Sequence, residues 1–297
     1  MINPFTERND TDSTDIALVE SAQKGDREAL EKLILKHQAW IYNIALRMVL
    51  NPHDAEDVTQ EILIKIITKL STFEGKSSFR TWLYRIVVNH VINMKKGHCE
   101  KKIINFKGYG EELDRTPDMD LPDRNSSPVD IQVLVEEAKI GCMTGMLLCL
   151  DREQRLVYIL GEIFNIHDSI GSMILEMSKE NFRQRLSRAR RDLHSFMNEK
   201  CGLINQNNPC RCLKKTASWI HAGLVEPDNL KFNKNYVKKV KDLSEGKSKQ
   251  LEDFLDDEYT SLFRNHPFQT PPDFVKTLQG ILHTEQFQQI INLTPHL

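Results

Sequence analysis

Residues 73–96 read FEGKSSFRTWLYRIVVNHVINMKK, and the fold and function of the chain turn on this stretch. It begins as a polar turn around Gly75 and continues as a helix that mixes aromatic rings with cations and amides. Phe73, Phe79, Trp82 and Tyr84 sit among Lys76, Arg80, Arg85, Lys95 and Lys96, with Asn89, His90 and Asn93 further along. Rings on which bases stack, interleaved with cations that meet phosphates, suit a single-stranded nucleic acid. The same pattern also serves an amphipathic helix whose rings face a core. The flanking sequence decides between them.

Upstream, Leu18, Ala22, Ala29, Leu33, Trp40, Ile44 and Met48 recur with helical spacing, interrupted at Gly25-Asp26. Two helices are expected, the second capped by the Asp26 carboxylate and stopped at Asn51-Pro52. Asp54 is then expected to cap a third helix, with Val58, Ile62, Ile66 and Lys69-Leu70 as its core stripe. Its first half carries Asp54, Glu56, Asp57, Gln60 and Glu61. Acidic residues there suit the helix dipole, and they equally form a docking surface for a basic partner.

The motifs then run in series: Gly25-Asp26, DAEDVTQE at 54–61, and FEGKSSFRTWLYRI at 73–86. Over residues 15–96 this series resembles the second conserved region of bacterial RNA polymerase sigma factors of the extracytoplasmic-function type. The resemblance implies that Asp57, Gln60 and Glu61 dock on the clamp helices of the core polymerase. It also implies that the loop at 73–79 captures a base flipped from the melting minus-ten element. Phe73, Lys76, Ser77, Phe79, Arg80, Asn89 and Asn93 are the candidate single-strand contacts.

Beyond Gly97, acidic residues outnumber Arg115 and Arg124, and Pro117, Pro122 and Pro128 break helices, so residues 98–128 read as a flexible acidic linker. Helical periodicity resumes near Val129. Ile170, Met173 or Ile174, and Met177 outline a short helix, and Ser178 caps a second one. There Phe182, Leu186, Ala189, Leu193 and Phe196 form the inner stripe and leave a basic outer face. This is a helix-turn-helix pattern, whose second helix enters a major groove. Lys179, Arg183, Gln184, Arg185, Arg188 and Arg190 are the candidate DNA contacts, with Arg191 on the same basic helix.

Residues 151–196 resemble the fourth conserved region of the same sigma factors, which reads the minus-thirty-five element, most tellingly at RLSRARR, 185–191. Three features depart from the family pattern: Glu176 stands at a turn position where glycine is frequent, Gly171-Ser172 weakens the first helix, and Asn181-Phe182 replaces the frequent Thr-Val.

Past residue 200, Cys201, Cys210 and Cys212, with His194 and His221 nearby, are candidate zinc or redox residues, although the spacing matches no common finger. Arg211, Lys214 and Lys215 read as a basic patch. A helical tail is expected from Pro227, including an acidic helix around 251–262 that could fold back on the basic helix.

The chain has 297 residues, 40% hydrophobic and 28% charged, enough for two or three soluble domains, and a net charge of -2 carries no global nucleic-acid signature. From the polar start MINPFTERNDTDSTD no signal peptide is expected, and the apolar run at 140–150 falls short of the about 20 residues a membrane helix needs. A cytoplasmic location, no membrane insertion and six reduced cysteines are expected. No phosphate-cradling glycine loop, nucleophile elbow or metalloprotease histidine pair stands in the sequence, so no enzyme is expected.

The expectation is therefore an all-α chain in four parts: a region 2-like domain at 15–97, the acidic linker at 98–128, a region 4-like helix-turn-helix domain at 129–200, and a cysteine-containing extension at 201–297. The implied function is a sigma factor that brings core RNA polymerase to promoter DNA and helps open it, with no required cofactor. An anti-sigma factor is a further candidate partner. The alternatives are a stand-alone helix-turn-helix regulator sensing metal or thiol state, and a polymerase-binding adaptor.

Overall fold

The computed structural model describes residues 10–102, 105–120, 131–233 and 269–282. Among these residues every regular element is a helix, as expected. Helices α1 (Asp10–Gln23), α2 (Arg27–Val49), α3 (Pro52–Lys69) and α4 (Phe79–Asn93) form a bundle around Ile41, Ile44, Met48, Ile62, Phe79 and Tyr84, none of which retains exposed surface. Asp26 caps α2 as expected, accepting from the amides of Glu28 and Ala29 at 3.0 and 3.2 Å. The cap of α3 is Asn51 rather than Asp54, its Oδ1 accepting from the His53 amide at 2.9 Å. Proline fits the first helical position because no partner is needed for the amide it lacks, so the helix starts earlier than an Asp54 cap allows.

The expected flexible linker is in large part folded. Residues 98–102 form α5 (His98–Lys102) and residues 106–115 form α6 (Phe106–Arg115). Phe106, Tyr109 and Leu113 supply a helical stripe that the surrounding acids conceal, and Tyr109 donates to the Cys142 carbonyl at 3.0 Å. Further on, the Ser218 hydroxyl donates to the Pro117 carbonyl at 2.5 Å, which fastens the segment along the extension. Residues 121–130 lie outside the described set.

Next come α7 (Ile131–Leu148) and α8 (Arg152–Tyr158), the latter continuing into a wider π-type turn at Ile159–Ile163, then α9 (Asp168–Ile174) and α10 (Lys179–Lys200). Ser178 caps α10 as expected, 3.1 Å from the Asn181 amide. Phe182, Ala189, Leu193 and Phe196 are buried and Leu186 half-buried. Gly171 is what lets α9 and α10 approach: a Cβ there would meet the Phe182 ring at 2.5 Å. Glu176, in the turn between them, adopts φ +52°.

The bundle and the helix-turn-helix unit are packed together. Trp40 meets Phe164 edge-on, with centroids 4.5 Å apart. Buried Glu100 receives Arg152 Nε and Nη2 at 2.8 and 2.7 Å and Arg155 Nη1 at 3.2 Å. The same guanidinium groups donate to helix-end carbonyls that have no intrahelical partner, Ile92 at 2.8 Å from Arg152 and Met48 at 2.7 Å from Arg155. Burial opposes ionisation of Glu100, but the two arginines outweigh it and hold its carboxyl below the usual range.

In the extension, α11 (Cys212–His221) packs on α7, and α12 (Phe274–Leu282) packs on α2. Lys215 is buried and paired with Asp118 at 3.1 Å, so it does not belong to a surface basic patch. The side chain of Asn43 exchanges two hydrogen bonds with the backbone of Gln269, at 2.9 and 3.0 Å. Residues 227–233 form turns rather than a helix. The expected helices around 236–243 and 251–262, and any fold-back onto α10, lie outside the described residues.

Candidate nucleic-acid interface

Asp57, Gln60 and Glu61 lie at i, i+3 and i+4 on α3, which places them on one face of the helix. Asp57 and Glu61 are exposed and Gln60 is half-buried. Behind Glu61, buried His90 of α4 turns Nε2 toward it at 3.2 Å, while Lys65 Nζ lies 2.7 Å from Nδ1. Burial and then Lys65 hold His90 below the ordinary histidine range against the opposing pull of Glu61. Its ring is therefore neutral near pH 7, with Nδ1 placed to accept from Lys65.

The turn before α4 is held from the other side by α1: Gln23 Nε2 donates to the carbonyls of Leu70 and Phe73 at 2.9 and 3.1 Å. Gly75 adopts φ +71°, as a turn at that position requires. Phe73, Phe79 and Trp82 form one cluster, with centroids 5.5 to 5.7 Å apart. Within it Phe79 is wholly buried and has no face to offer a base, whereas Phe73 and Trp82 are half-buried. Arg80 is also turned inward, its Nε donating to Asp15 Oδ2 at 3.1 Å. Asp15 has no exposed surface, and Lys36 lies 2.6 Å from its other oxygen. Burial opposes its ionisation, but His37, 3.6 Å away, and Lys36 prevail and hold its pKa at about 2.

The structure thus separates the candidate single-strand contacts. Lys76, Asn89 and Asn93 are exposed and Ser77 is half-buried, while Phe79 and Arg80 support the turn from within. Asn93 Nδ2 donates to the Asn89 carbonyl at 2.8 Å, along the face of α4 that also carries Trp82 and Arg85. Arg85 reaches the helix-turn-helix unit, donating to the Met173 carbonyl at 3.0 Å and lying 3.6 Å from Glu176. The sequence shows Arg85 among the cations, but nothing local signals a contact with the end of α9, 88 residues away.

On α10, Lys179, Arg183, Gln184, Arg188 and Arg190 are exposed and Arg185 is half-buried. Three of these cations are paired with carboxylates of neighbouring helices and turns: Arg183 with Asp168, Arg185 with Glu153, and Arg190 with Glu162. The first two are exposed or partly exposed pairs, of the kind that orient a side chain while adding little stability, whereas Glu162 of the third is buried.

Cys201, Cys210 and Cys212 line one narrow apolar pocket together with Cys142. Burial raises the thiol of Cys142 well above its usual range and that of Cys212 to about 11. Among the described residues no three histidine, cysteine, aspartate or glutamate side chains form a group that could hold a metal ion, and His221 is exposed. No helix among the described residues is long and apolar enough to cross a membrane.

Comparison with known proteins bears on the first of these surfaces. The family model "Sigma-70 region 2" matches residues 33–98, which contain both the acidic face of α3 and the whole of α4. The RNA polymerase sigma-H factor of Pseudomonas aeruginosa is 43% identical over 83 residues, 28% of this chain and 43% of that protein. The ECF RNA polymerase sigma-E factor of Escherichia coli K12 is 44% identical over 80 residues, 27% of this chain and 41% of that protein. The chain thus spans about two fifths of the length of the curated relatives it matches. A solved structure of CnrH in complex with the cytosolic domain of CnrY is a looser likeness: 20% identity, 62% of this chain and 97% of that one, with a TM-score of 0.45. Residues 33–98 are therefore the part of this chain that is similar to the sigma-70 region 2 family.

Proposed function

We propose that the chain is a sigma factor of the extracytoplasmic-function type with a C-terminal extension. It brings bacterial core RNA polymerase to promoters and helps open the DNA. One observation carries this reading: the matched region 2 domain presents the acidic face of α3 and the Phe73–Trp82 ring cluster on one rigid bundle. The matched relatives from P. aeruginosa and E. coli bear the names of polymerase sigma factors, which supports it.

Asp57, Gln60 and Glu61 then dock on the polymerase. Flipping a base out of a duplex costs a few kcal/mol, and stacking on an aromatic ring contributes about 1–3 kcal/mol per base. Phe73 and Trp82 offer the ring surface, with Lys76, Ser77, Asn89 and Asn93 as polar contacts. Phe79 and Arg80 are positioning residues that hold the turn open. Upstream, α10 enters the major groove, and DNA phosphates and base edges replace the carboxylates now paired with Arg183, Arg185 and Arg190. No step makes or breaks a covalent bond, so the chain works by binding alone.

Transcription from a promoter library with purified core polymerase tests this. Promoter-dependent transcripts that require the chain are expected, and replacing Arg183 and Arg185 is expected to weaken promoter recognition. Failure to bind core polymerase and to yield any transcript overturns the reading.

A further inference from the structure

Between α6, α7, α11 and the turns at 224–233 lies a cavity of about 230 Å³, larger than the ~150 Å³ engineered apolar cavity that takes up benzene. Its walls come from three parts of the chain: Leu50 at the end of α2, Leu113 of α6, and Trp219 and Phe232 of the extension. Small-molecule sites concentrate at such junctions.

The floor is the small-residue face of α7, Ala138, Gly141 and Gly145. Gly145 is required by packing, since a Cβ there would meet the Tyr109 hydroxyl at 2.6 Å. Gly141 is not. A Cβ at 141 would touch only Phe232, at an ordinary 3.9 Å, and glycine inside a helix is less stable than alanine. The protein's own packing therefore does not account for glycine at 141; its effect is to widen the cavity.

The walls are also fixed in place. Buried Glu137 accepts from the amides of Lys231, Phe232 and Asn233 at 2.6, 3.0 and 3.0 Å, and from Asn233 Nδ2 at 2.8 Å. Tyr109 is tied to the Cys142 carbonyl. A cavity braced by hydrogen bonds cannot close by local collapse, and an empty apolar one weakens the fold. The same bonds satisfy the Glu137 carboxylate, and the half-buried Lys231 is the cation in a lining otherwise dominated by apolar side chains. Burial raises the pKa of the Cys99 and Cys142 thiols and keeps them neutral. Exposed Glu112 and Leu224 also line the cavity and mark its mouth, where Leu224 is 62% exposed.

We infer that this cavity binds an uncharged, largely apolar small molecule of the size of a linked pair of aromatic rings. The site is separate from the proposed polymerase and promoter contacts and does not depend on that reading.

The test uses the full chain and N-phenyl-1-naphthylamine, an uncharged two-part aromatic probe that brightens in apolar surroundings. Saturable binding of one equivalent is expected, with energy transfer from Trp219, which lines the cavity while Trp40 and Trp82 do not. Gly141→Leu fills the floor and is expected to lower probe affinity at least tenfold, with an unchanged circular dichroism spectrum. Leu224→Asp, at an exposed position that cannot unfold the core, is expected to lower it severalfold. Trp219→Phe is expected to retain binding while losing most of the energy transfer. Absence of saturable binding to the unaltered chain overturns the inference. So does binding that both Gly141→Leu and Leu224→Asp leave unchanged, because the probe then sits elsewhere.

Discussion

Helices α4 and α10 both mix cations with apolar residues, yet they use them in opposite ways. On α4, Phe79 and Tyr84 are wholly buried and Arg80 pairs with a buried Asp15. On α10 the cations stay at the surface, and Arg183 pairs with Asp168 while remaining 62% exposed. A carboxylate that holds a buried guanidinium is part of the fold, because removing it leaves an uncompensated charge in a low-dielectric interior. A carboxylate beside an exposed arginine competes with water and salt and is easily exchanged for a phosphate. The cations of the first helix are built into the fold, whereas those of the second stay at the surface above its apolar stripe.

The contrast breaks most visibly at Phe79. Phe79→Ala is expected to cost about 3–5 kcal/mol, read as a lower urea midpoint. A change below about 1 kcal/mol means that the ring is not part of the core. Next comes Asp15→Asn, which leaves Arg80 and Lys36 without their shared carboxylate and is expected to cost roughly 3 kcal/mol. Asp15 also sets a pH window. Its folded pKa of about 2 lies below the ordinary 3.8, so its contribution is present above 3.8 and is lost as pH falls toward 2. Acid titration of stability is expected to lose that segment in Asp15→Asn; an identical acid profile contradicts the pairing.

Smaller effects sharpen the same comparison. Glu176 holds φ +52° without being glycine, so Glu176→Gly is expected to raise stability by about 1 kcal/mol. A fall instead shows that its approach to Arg85 outweighs the backbone strain. Arg183→Ala is expected to change stability by less than about 0.5 kcal/mol. The same variant is expected to lower promoter affinity and to reduce the salt slope by about one unit if the contact is to a phosphate. Equal salt dependence in both proteins removes Arg183 from the DNA surface.

What the sequence revealed was local, and what it concealed was long-range. Asp26 and Ser178 are legible as caps because a cap is decided within three residues. The stripe of α10 is legible because its spacing repeats over the whole helix. Asn51 is less legible as a cap than Asp54 because the proline beside it reads first as a stop, although it suits a first turn. Helix α6 was hidden by its acids, which masked the spacing of Phe106, Tyr109 and Leu113. Glu100 could not be paired with Arg152 and Arg155 from the sequence, since 52 and 55 residues intervene. In an amphipathic helix, composition shows which residues are present, and only packing shows that Phe79 and Arg80 point inward.

The central claim concerns the exposed acidic face of α3, and an equilibrium titration of core RNA polymerase with the full chain tests it most directly. The unaltered chain is expected to bind saturably. A variant combining Asp57→Ala, Gln60→Ala and Glu61→Ala is expected to bind at least about tenfold more weakly, a loss of about 1.4 kcal/mol, with its helical content unchanged. Undetectable binding of the unaltered chain, or equal binding of the two proteins, contradicts the account.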